Sequence, residues 1–306
     1  MSPSQGAVDV RVGERTLRLT NLDKVYWPQA GFTKGQMIDY YSRVAPALLR
    51  HLRDRPLTLK RYPEGVDGQM FYEKNCPKHR PPWLQTAEVW SDSNDKHMYY
   101  CMVQDLPSLV WVAQLGTIEL HTSLSLHTEL PRPTAMIFDL DPGPPATIVE
   151  CCRVAMWLRD WFLERDLQAF PKTSGSKGMQ VYVPINRAVD YTFTKHLSRG
   201  LAHQLERDRP RHVVSTQRKN LREGKVLIDW SQNDEYKTTV NVYSLRARDH
   251  PTVSTPLLWD EVEHCLEDGD PGLLVFDSDA VLERLERHGD LFEPVLTLEQ
   301  ELPESV

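Results

Sequence analysis

The sequence has no long hydrophobic segment and no N-terminal secretion signal. Its apolar runs fall well short of the roughly 20 residues that a membrane-spanning helix needs, although 40% of the 306 residues are hydrophobic. The first ten residues, MSPSQGAVDV, lack the basic stretch and apolar core of a signal peptide. These absences predict a cytoplasmic globular protein with ample material for a core.

Cysteine is too scarce and too scattered to indicate a disulfide framework. The chain has an odd number of cysteines, namely Cys76, Cys101, Cys151, Cys152 and Cys265. This pattern predicts reduced thiols of an intracellular protein. Cys76 and His79 form one C-x-x-H pair, but the matching second pair of a zinc site is absent.

A net positive charge, which would favour nucleic acid as a ligand, is also missing. The net charge is −7, but residues 1–90 carry a balance of +5, residues 91–256 of +1 and residues 257–306 of −13. A mildly basic body therefore precedes an acidic C-terminal flank, so a polyanionic ligand is permitted but not required. Because no repeat or obvious linker interrupts the sequence, residues 1–306 are expected to form a single domain, with the flank beginning at about residue 257.

Two aspartates end a predicted strand in the middle of the chain. In residues 134–143, TAMIFDLDPG, an apolar run leads to Asp139 and Asp141, and a Pro-Gly pair then stops the strand. Side chains alternate between the two faces of a strand, so both carboxylates project from one face. Mg²⁺ and Mn²⁺ prefer oxygen ligands of this kind. Taken alone, an Asp-x-Asp pair is more often the solvated end of a strand.

A loop of small residues lies downstream of this pair. Residues 174–178, SGSKG, precede a predicted strand at 179–184 and offer two hydroxyls, closely spaced N–H groups and Lys177 to an anion. The loop is not a Walker A motif, because the spacing differs and a strand follows it. A plain hairpin turn remains the alternative.

Two further predicted strands carry charged residues. The strand at 225–230, KVLIDW, contains Asp229, a third candidate carboxylate. The strand at 243–248, YSLRAR, would place Arg246 and Arg248 on one face. The basic segment 211–224 predicts a mobile loop that faces phosphates or solvent.

The N-terminal third combines cations with aromatic residues. A predicted strand at 57–62 carries Lys60 and Arg61, and Phe71 and Tyr72 follow it. Such residues hold nucleic acid by pairing with phosphates and stacking on bases, although aromatic residues in strands are more often part of a core.

A capping box at Thr33 and Gln36 predicts a helix over 34–53. Lys34 lies in its first turn, where free N–H groups and the helix dipole attract anions, and Lys24 is close in sequence. A phosphate site and two solvated lysines are both compatible with this segment. Other helices are predicted at 107–115, 147–165, 191–206, 258–267 and 278–288, and other strands at 15–21, 98–103 and 117–121.

The order of these motifs resembles the archaeo-eukaryotic primase superfamily. The amino-acid sequences of the motifs are most similar to those of the bacterial end-joining polymerases, that is, the polymerase domain of DNA ligase D and its stand-alone relatives. The matching segments are FDLDPG, KTSGSKG, IDWSQN, YSLRAR, LDKVYWP and GxMFYEKN. The resemblance implies an α+β fold of two packed α/β lobes, with central mixed or antiparallel sheets, flanking helices and a catalytic lobe like an RNA-recognition motif.

The resemblance also implies a metal-dependent nucleotidyltransferase, a primase-polymerase that extends primers at gaps and break ends in bacterial end joining. Ribonucleotide preference and recognition of a downstream 5′-phosphate are implied with it. Two divalent cations, Mn²⁺ or Mg²⁺, would bind Asp139, Asp141 and Asp229. The nucleotide would contact Lys60, His121, Ser174, Ser176, Lys177, Gln180 and Arg246. The DNA and its 5′-phosphate would contact Asn21, Lys24, Lys34, Arg61, Phe71 and Tyr72.

The implied partners are gapped or broken DNA, NTPs or dNTPs, a DNA ligase and the end-bridging protein Ku, at the nucleoid and without a membrane. Two positions depart from the pattern: Gln180 replaces a usual histidine, which is expected to weaken triphosphate contact, and Val242 replaces a usual proline. A phosphoesterase using the same three carboxylates and a non-catalytic DNA-end binder remain as alternatives. The basic loop argues against the first, and the intact carboxylates argue against the second.

Overall fold

The computed structural model describes residues 6–91 and 95–306, which form two lobes, each built on one β-sheet with its own apolar core. This arrangement confirms the α+β fold of two packed lobes. Within the described residues, no helix is long and apolar enough to span a membrane.

The first lobe contains a six-stranded antiparallel sheet. Its strands are β5 (Leu57–Arg61), β6 (Phe71–Glu73), β7 (Thr86–Ser91), β8 (Lys96–Cys101), β9 (Thr117–Thr122) and β15 (Thr239–Val240). They follow the order β15-β9-β5-β8-β7, and β6 pairs with β5. Helices α1 (Lys34–Leu52) and α2 (Leu106–Gln114) contribute many of the other core residues. Two hairpins precede them, β1 (Val8–Val12) with β2 (Arg15–Leu19) and β3 (Val25–Trp27) with β4 (Phe32–Thr33).

The second lobe contains a five-stranded mixed sheet. Its strands are β10 (Ala135–Pro142), β11 (Phe170–Thr173), β12 (Met179–Pro184), β13 (Val213–Val214) and β14 (Val226–Asp229). The order is β11-β12-β10-β14-β13, and β13 and β14 form the parallel pair. Helices α3 (Ile148–Leu163) and α4 (Tyr191–Asp208) pack on this sheet.

Strand β10 lies between the two cores. Met136, Phe138 and Leu140 are fully buried in the core of the second lobe. The alternate residues Ala135 and Ile137 belong to the core of the first lobe. Because side chains alternate along a strand, the residues that continue this second series, at 139 and 141, project from the face turned towards the first lobe.

The acidic C-terminal flank attaches to both lobes. It contains α5 (Trp259–Asp268), α6 (Ser278–His288) and α7 (Pro294–Thr297). Helix α5 packs on α3 of the second lobe, and α6 packs on α1 of the first. The amide of Gln300 donates to the carbonyl oxygens of Gln168 and Pro184. The flank therefore holds the lobes together. That the flank and the two lobes form a single domain stays a prediction.

The predicted long helices and the strands at 57–62, 179–184 and 225–230 are confirmed to within a few residues. The capping box at Thr33 and Gln36 is also confirmed, because each side chain bonds the backbone N–H of the other residue. These elements have strong periodicity or explicit stop signals, which makes them readable from local sequence.

The prediction that all five cysteines are reduced is wrong for one pair. Cys76 and Cys101 form a disulfide, with 5.0 Å between their Cα atoms. The residues are 25 positions apart, and they meet because β6 and β8 both pair with β5. The other three cysteines are free thiols and buried.

The predicted strand at 243–248 is also wrong. Tyr243 has a positive φ of 64°, which breaks an extended conformation. The chain then folds back, with Arg246 N donating to Thr252 O at 2.8 Å. As a result, Arg246 is half-buried and Arg248 is exposed, so the two guanidinium groups do not act as one face. The segment 211–224 is likewise not one loop, since it contains β13 and a 3₁₀ turn at Lys219–Leu221.

Candidate active site

The three predicted carboxylates come together on two adjacent strands. Asp139 of β10 is directly opposite Asp229 of β14 in the antiparallel register. Asp141 lies two residues further along β10, on the same face as Asp139. The sheet thus places the three acidic residues side by side between the lobes.

This crowding of acidic groups changes their titration. Burial, together with the negative charges of Asp141 and Asp229, raises the pKa of Asp139 to about 7. Burial also raises the pKa of Asp141, with Arg222 opposing the shift and Asp229 adding to it. Like charges in a buried site are costly unless protons or cations offset them.

Each carboxylate has a hydrogen-bond or ionic partner of its own. Asp139 Oδ1 accepts from Gln180 Nε2 at 3.0 Å, and Asp229 Oδ1 accepts from the N–H and the hydroxyl of Ser231. Arg222 Nη2 lies 3.8 Å from Asp141 Oδ2. Across the described ranges, no three His, Cys, Asp or Glu side chains form a complete metal-binding group. The oxygen donors and their repulsion suit hard divalent cations, and to bind one, Asp141 and Asp229 would exchange their present partners for the ion.

The loop at 174–178 is a hairpin connection between β11 and β12. The Ser174 hydroxyl accepts from the N–H groups of Ser176 and Gly178, at 3.2 and 3.3 Å. The side chains of Ser176 and Lys177 are exposed. The loop is therefore compact, with its hydroxyl and cationic side chain presented outward.

A segment of the chain after β15 holds this loop in place. Arg246 Nη1 donates to the carbonyl oxygen of Ser174, and Thr252 Oγ1 donates to that of Gly175 at 2.6 Å. Fully buried Lys172 donates to the hydroxyl of Ser254 at 2.6 Å. Burial lowers the pKa of Lys172 well below its usual value.

The nucleotide-site residues of the first lobe converge on one carboxylate. Glu119 on β9 accepts from Lys60 Nζ at 3.1 Å and from His121 Nε2 at 2.8 Å. Arg246 Nε lies 3.4 Å from the same carboxylate. Glu119 therefore links Lys60 and His121 to Arg246, the residue that holds the loop at 174–178 of the second lobe.

The residues predicted to contact DNA divide into two groups. Tyr72 of β6 packs edge-on against His121, with ring centroids 6.1 Å apart, and its hydroxyl lies 3.0 Å from that of Thr238. Phe71 and Tyr72 are 39% and 48% exposed, which leaves ring surface for stacking. Arg61 is instead bound to the Glu73 carboxylate at 2.8 and 2.9 Å, so it is not gathered into the group around Glu119.

Asn21, Lys24 and Lys34 lie together at the start of α1. Lys34 N donates to Lys24 O at 2.8 Å, and Lys24 N donates to Asn21 O at 3.1 Å. Lys24 Nζ is paired with Glu64, and buried Lys34 Nζ donates to Thr20 O at 2.9 Å. Burial and the charge of Lys24 lower the pKa of Lys34 to about 8.

The expectation of free N–H groups in this first turn is wrong. The N–H groups of Lys34 and Gly35 donate to the carbonyl oxygens of Lys24 and Leu22. The next N–H, of Gln36, donates to the Thr33 hydroxyl. The loop before the helix folds over its N-terminus, so an anion here would meet side-chain ammonium groups and not the helix end.

Three residues of the site were missed in the sequence. Glu119 could have been found, because it alternates with His121 on a predicted strand. Lys172 is placed only by the strand pairing, because it faces Gln180, which in turn faces Asp139, across three paired strands. Arg222 belongs to the basic segment 211–224, but the sequence did not place it beside Asp141. It can approach because Gly143 has no side chain, and a Cβ there would lie 1.9 Å from Arg222 O.

Comparison with known proteins now adds independent information. Residues 33–292 match the family described as LigD, primase-polymerase domain. The chain is 40% identical over 281 residues to the multifunctional non-homologous end joining protein LigD of Mycolicibacterium smegmatis, covering 91% of this chain and 36% of that protein. It is 30% identical over 256 residues to the Pseudomonas aeruginosa protein of the same name, covering 83% and 30%. The chain thus spans about a third of the length of these curated relatives.

A solved structure shows the same fold. The polymerase domain of Mycobacterium tuberculosis ligase D, in complex with DNA, superposes with a TM-score of 0.84 at 38% identity, covering 94% of this chain and 100% of that one. The resemblance drawn from the sequence motifs is confirmed. The chain belongs to the LigD primase-polymerase domain family, whose members are nucleotidyltransferases that act on DNA.

Proposed function

We propose that this chain extends DNA primers at gaps and broken ends during bacterial end joining. The observation that carries the proposal is the register of β10 and β14, which sets Asp139 opposite Asp229 with Asp141 beside them. The alternative of a solvated strand end does not explain why Asp139 and buried Asp229 lie face to face on adjacent strands. The anchored loop at 174–178 lies at the end of the neighbouring strand β12, where a triphosphate would be held.

The family is metal-dependent in general, and in this chain Asp139, Asp141 and Asp229 would hold two divalent cations, Mn²⁺ or Mg²⁺. When bound, such ions lower the pKa of the primer 3′-hydroxyl and neutralise charge on the triphosphate and the leaving pyrophosphate. Gln180 contributes by orienting Asp139, and Ser231 by orienting Asp229. The chain's own share of catalysis is then mainly positioning and electrostatic stabilisation.

The incoming nucleotide would lie between the two lobes. Ser174, Ser176 and Lys177 would bind its triphosphate, with Arg246 supporting the loop and adding positive charge. Lys60 and His121 would face the nucleotide from the first lobe, and Gln180 would border the triphosphate from β12. A preference for ribonucleotides is part of the same proposal.

The DNA would contact both ends of the first lobe. The exposed rings of Phe71 and Tyr72 would stack on bases, whereas Arg61, bound to Glu73, would support β6 and not touch DNA directly. Asn21, Lys24 and Lys34 would receive the downstream 5′-phosphate, with Lys24 leaving Glu64 to do so.

The proposal of a DNA ligase as partner is supported by the name of the solved structure, ligase D, whereas Ku is carried over from the resemblance of the sequence motifs. The two relatives are named as multifunctional in non-homologous end joining, and this chain spans about a third of each. We therefore include a DNA ligase and Ku as partners, and a place at the bacterial nucleoid in the cytoplasm, in the proposal.

A gapped DNA with a labelled primer, a 5′-phosphate across the gap and Mn²⁺ tests the proposal. With NTPs the labelled strand should lengthen by the few nucleotides of the gap, and it should lengthen more slowly with dNTPs. A phosphoesterase would shorten the strand, and a DNA-end binder would leave it unchanged. Either of these two results would refute a polymerase.

A further inference from the structure

Glu119 is a buried acid that neither the carboxylate site nor the triphosphate loop explains. Glu119 is only 1% exposed, yet basic side chains from three separate parts of the chain approach its carboxylate by hydrogen bond or ion pair. Lys60 lies on β5, His121 on β9 itself and Arg246 in the segment after β15. Its oxygen Oε1 also accepts from the N–H of Ala247 at 3.2 Å.

The surroundings of Glu119 keep it ionised. Burial alone would raise its pKa, but the hydrogen bond from His121 and the positive charges of Arg246 and Lys60 outweigh burial and hold the pKa well below its usual value. An ionised carboxylate accepts hydrogen bonds and donates none. The hydrogen atom between Glu119 and His121 therefore belongs to Nε2 of the imidazole.

This assignment determines what His121 offers to a ligand. Burial lowers the pKa of His121, an effect that its bond to Glu119 opposes and the charges of Arg246 and Lys60 reinforce, which favours the neutral ring. In a neutral ring with its proton on Nε2, the other nitrogen, Nδ1, is an acceptor. Phosphate oxygens of a nucleotide cannot donate to it at neutral pH, whereas sugar hydroxyls can. Lys60 and Arg246 have the opposite character, since they only donate.

We propose that Glu119 is a positioning residue of the nucleotide site, which fixes His121 as the Nε2–H tautomer so that Nδ1 accepts a hydrogen bond from a sugar hydroxyl. The same carboxylate also aligns Lys60 with Arg246. Lys60 faces the nucleotide from the first lobe, and Arg246 holds the loop at 174–178 of the second lobe. The inference rests on the proposed nucleotide site and adds to it the group that sets sugar recognition.

Glu119→Gln tests the role in sugar recognition. The amide keeps the shape but no longer enforces one tautomer, so the ratio of kcat/KM for ATP over dATP should fall roughly 3- to 10-fold, the effect of one hydrogen bond. The loss should appear mainly in KM for ATP, and changes in phosphate attraction cancel in the ratio. Glu88→Gln is the matched control, because Glu88 forms an exposed pair with His97 at 3.1 Å away from the site. A folded Glu119→Gln protein with an unchanged ratio would overturn the proposal.

The tautomer itself is measurable without any variant or substrate. The nitrogen chemical shifts of the His121 ring in the wild-type chain should identify the Nε2–H form, and the Nδ1–H form would overturn the proposal even if Glu119→Gln cannot fold. If the wild-type chain extends no primer, the polymerase function fails. The proposed role of Glu119 is then still tested by the His121 tautomer and by equilibrium binding of ATP and of dATP. Equal affinities for the two nucleotides would contradict that role.

Discussion

Gln180 shows how one side chain can serve both lobes. Its Nε2 lies 3.0 Å from Asp139 Oδ1 and 2.9 Å from Thr239 Oγ1 of β15. Its position in the motif led us to expect a contact with the triphosphate, which stays a prediction, and in this structure the amide donates to the Asp139 carboxylate. Glutamine supplies the donor that this geometry uses, and it stays neutral beside the acidic residues proposed to bind cations.

We predict that Gln180→Ala lowers kcat for primer extension by roughly 10- to 100-fold, because a hydrogen bond to a charged group contributes about 1.5–3 kcal/mol. Gln180→His keeps a ring N–H as donor and should retain most of the activity. Steady-state extension on gapped DNA measures both variants. Equal kcat for the alanine variant and the wild type would show that Asp139 needs no such support.

Lys34 would give the proposed 5′-phosphate pocket a pH dependence. Its pKa is lowered to about 8 by burial and by Lys24, so the ammonium loses its proton as the pH rises through that value. We predict that the preference for a 5′-phosphorylated gap over an unphosphorylated one weakens between pH 7 and pH 9, measured by fluorescence anisotropy. Lys34→Arg stays charged and should remove this pH dependence. A preference that is constant in the wild-type chain would argue against Lys34 as a phosphate ligand.

At the scale of elements, the loop at 174–178 depends on space as much as on charge. Gly175 has a positive φ of 67°, and a Cβ there would lie 2.6 Å from Val253 C and 2.7 Å from Ser254 N. Gly269, at the end of α5, has a φ of 74° and nothing within 4 Å of the same position. The two glycines therefore share the conformational requirement but differ in their surroundings.

Gly269→Ala should cost about 1–2 kcal/mol of unfolding free energy, the strain of a left-handed residue. Gly175→Ala should cost about 1–3 kcal/mol more, because the added methyl overpacks the contact, and it should raise KM for NTPs. Chemical denaturation and extension kinetics measure the two effects. If both variants lose the same stability and bind NTPs normally, the packing of residues 253 and 254 does not shape the loop.

Elements were predictable where local sequence carries the information. The strand at Met179–Pro184 was predicted with its exact bounds, because a glycine loop and a proline enclose an apolar run. Strands β13 and β15 have two residues each and exist only through their partners, so no local pattern reveals them. The alternating sequence pattern at 243–248 gave a wrong strand prediction for the same reason. This segment pairs with the returning segment around Thr252 and not with a neighbouring strand.

At the scale of the whole molecule, the site exists only where the lobes meet. The three carboxylates and the loop residues could be predicted from motifs, because Asp139 and Asp141 alternate on β10, Asp229 ends β14 and the loop directly precedes β12. Their connection through Glu119, Lys172 and Arg246 could not, because it depends on how two sheets pack. The pairing of Cys76 with Cys101 was not predictable for a different reason, since it depends on β6 and β8 both pairing with β5 within the sheet of the first lobe.

Asp290 ties the C-terminal flank to the body of the molecule. Its carboxylate accepts from His51 Nε2 at 2.8 Å and from the Tyr243 hydroxyl at 2.7 Å. Although burial acts in the opposite direction, these hydrogen bonds and the charge of His51 lower the pKa of Asp290. Losing charge-assisted bonds of this kind costs about 1.5–3 kcal/mol.

We predict that Asp290→Asn lowers the free energy of unfolding by about 2 kcal/mol at pH 7. Since the pKa is lower in the folded state than in the unfolded one, this stabilisation is present above the unfolded value of about 3.9 and is lost as the pH falls below it. In denaturant titrations, the difference in unfolding free energy between the wild type and Asp290→Asn should therefore be smaller at pH 3 than at pH 7. Glu304→Gln, at an exposed position, should change neither curve, and a pH-independent loss for Asp290→Asn would contradict the linkage.

The most direct measurement of the central claim is primer extension on 5′-phosphorylated gapped DNA by Asp229→Ala, beside the wild-type chain and with DNA binding measured in parallel. Asp229 lies opposite Asp139 across β10 and β14, so the account predicts that extension is lost while affinity for the gapped DNA is retained. Extension that persists in the variant would contradict the assignment of these carboxylates as the catalytic centre.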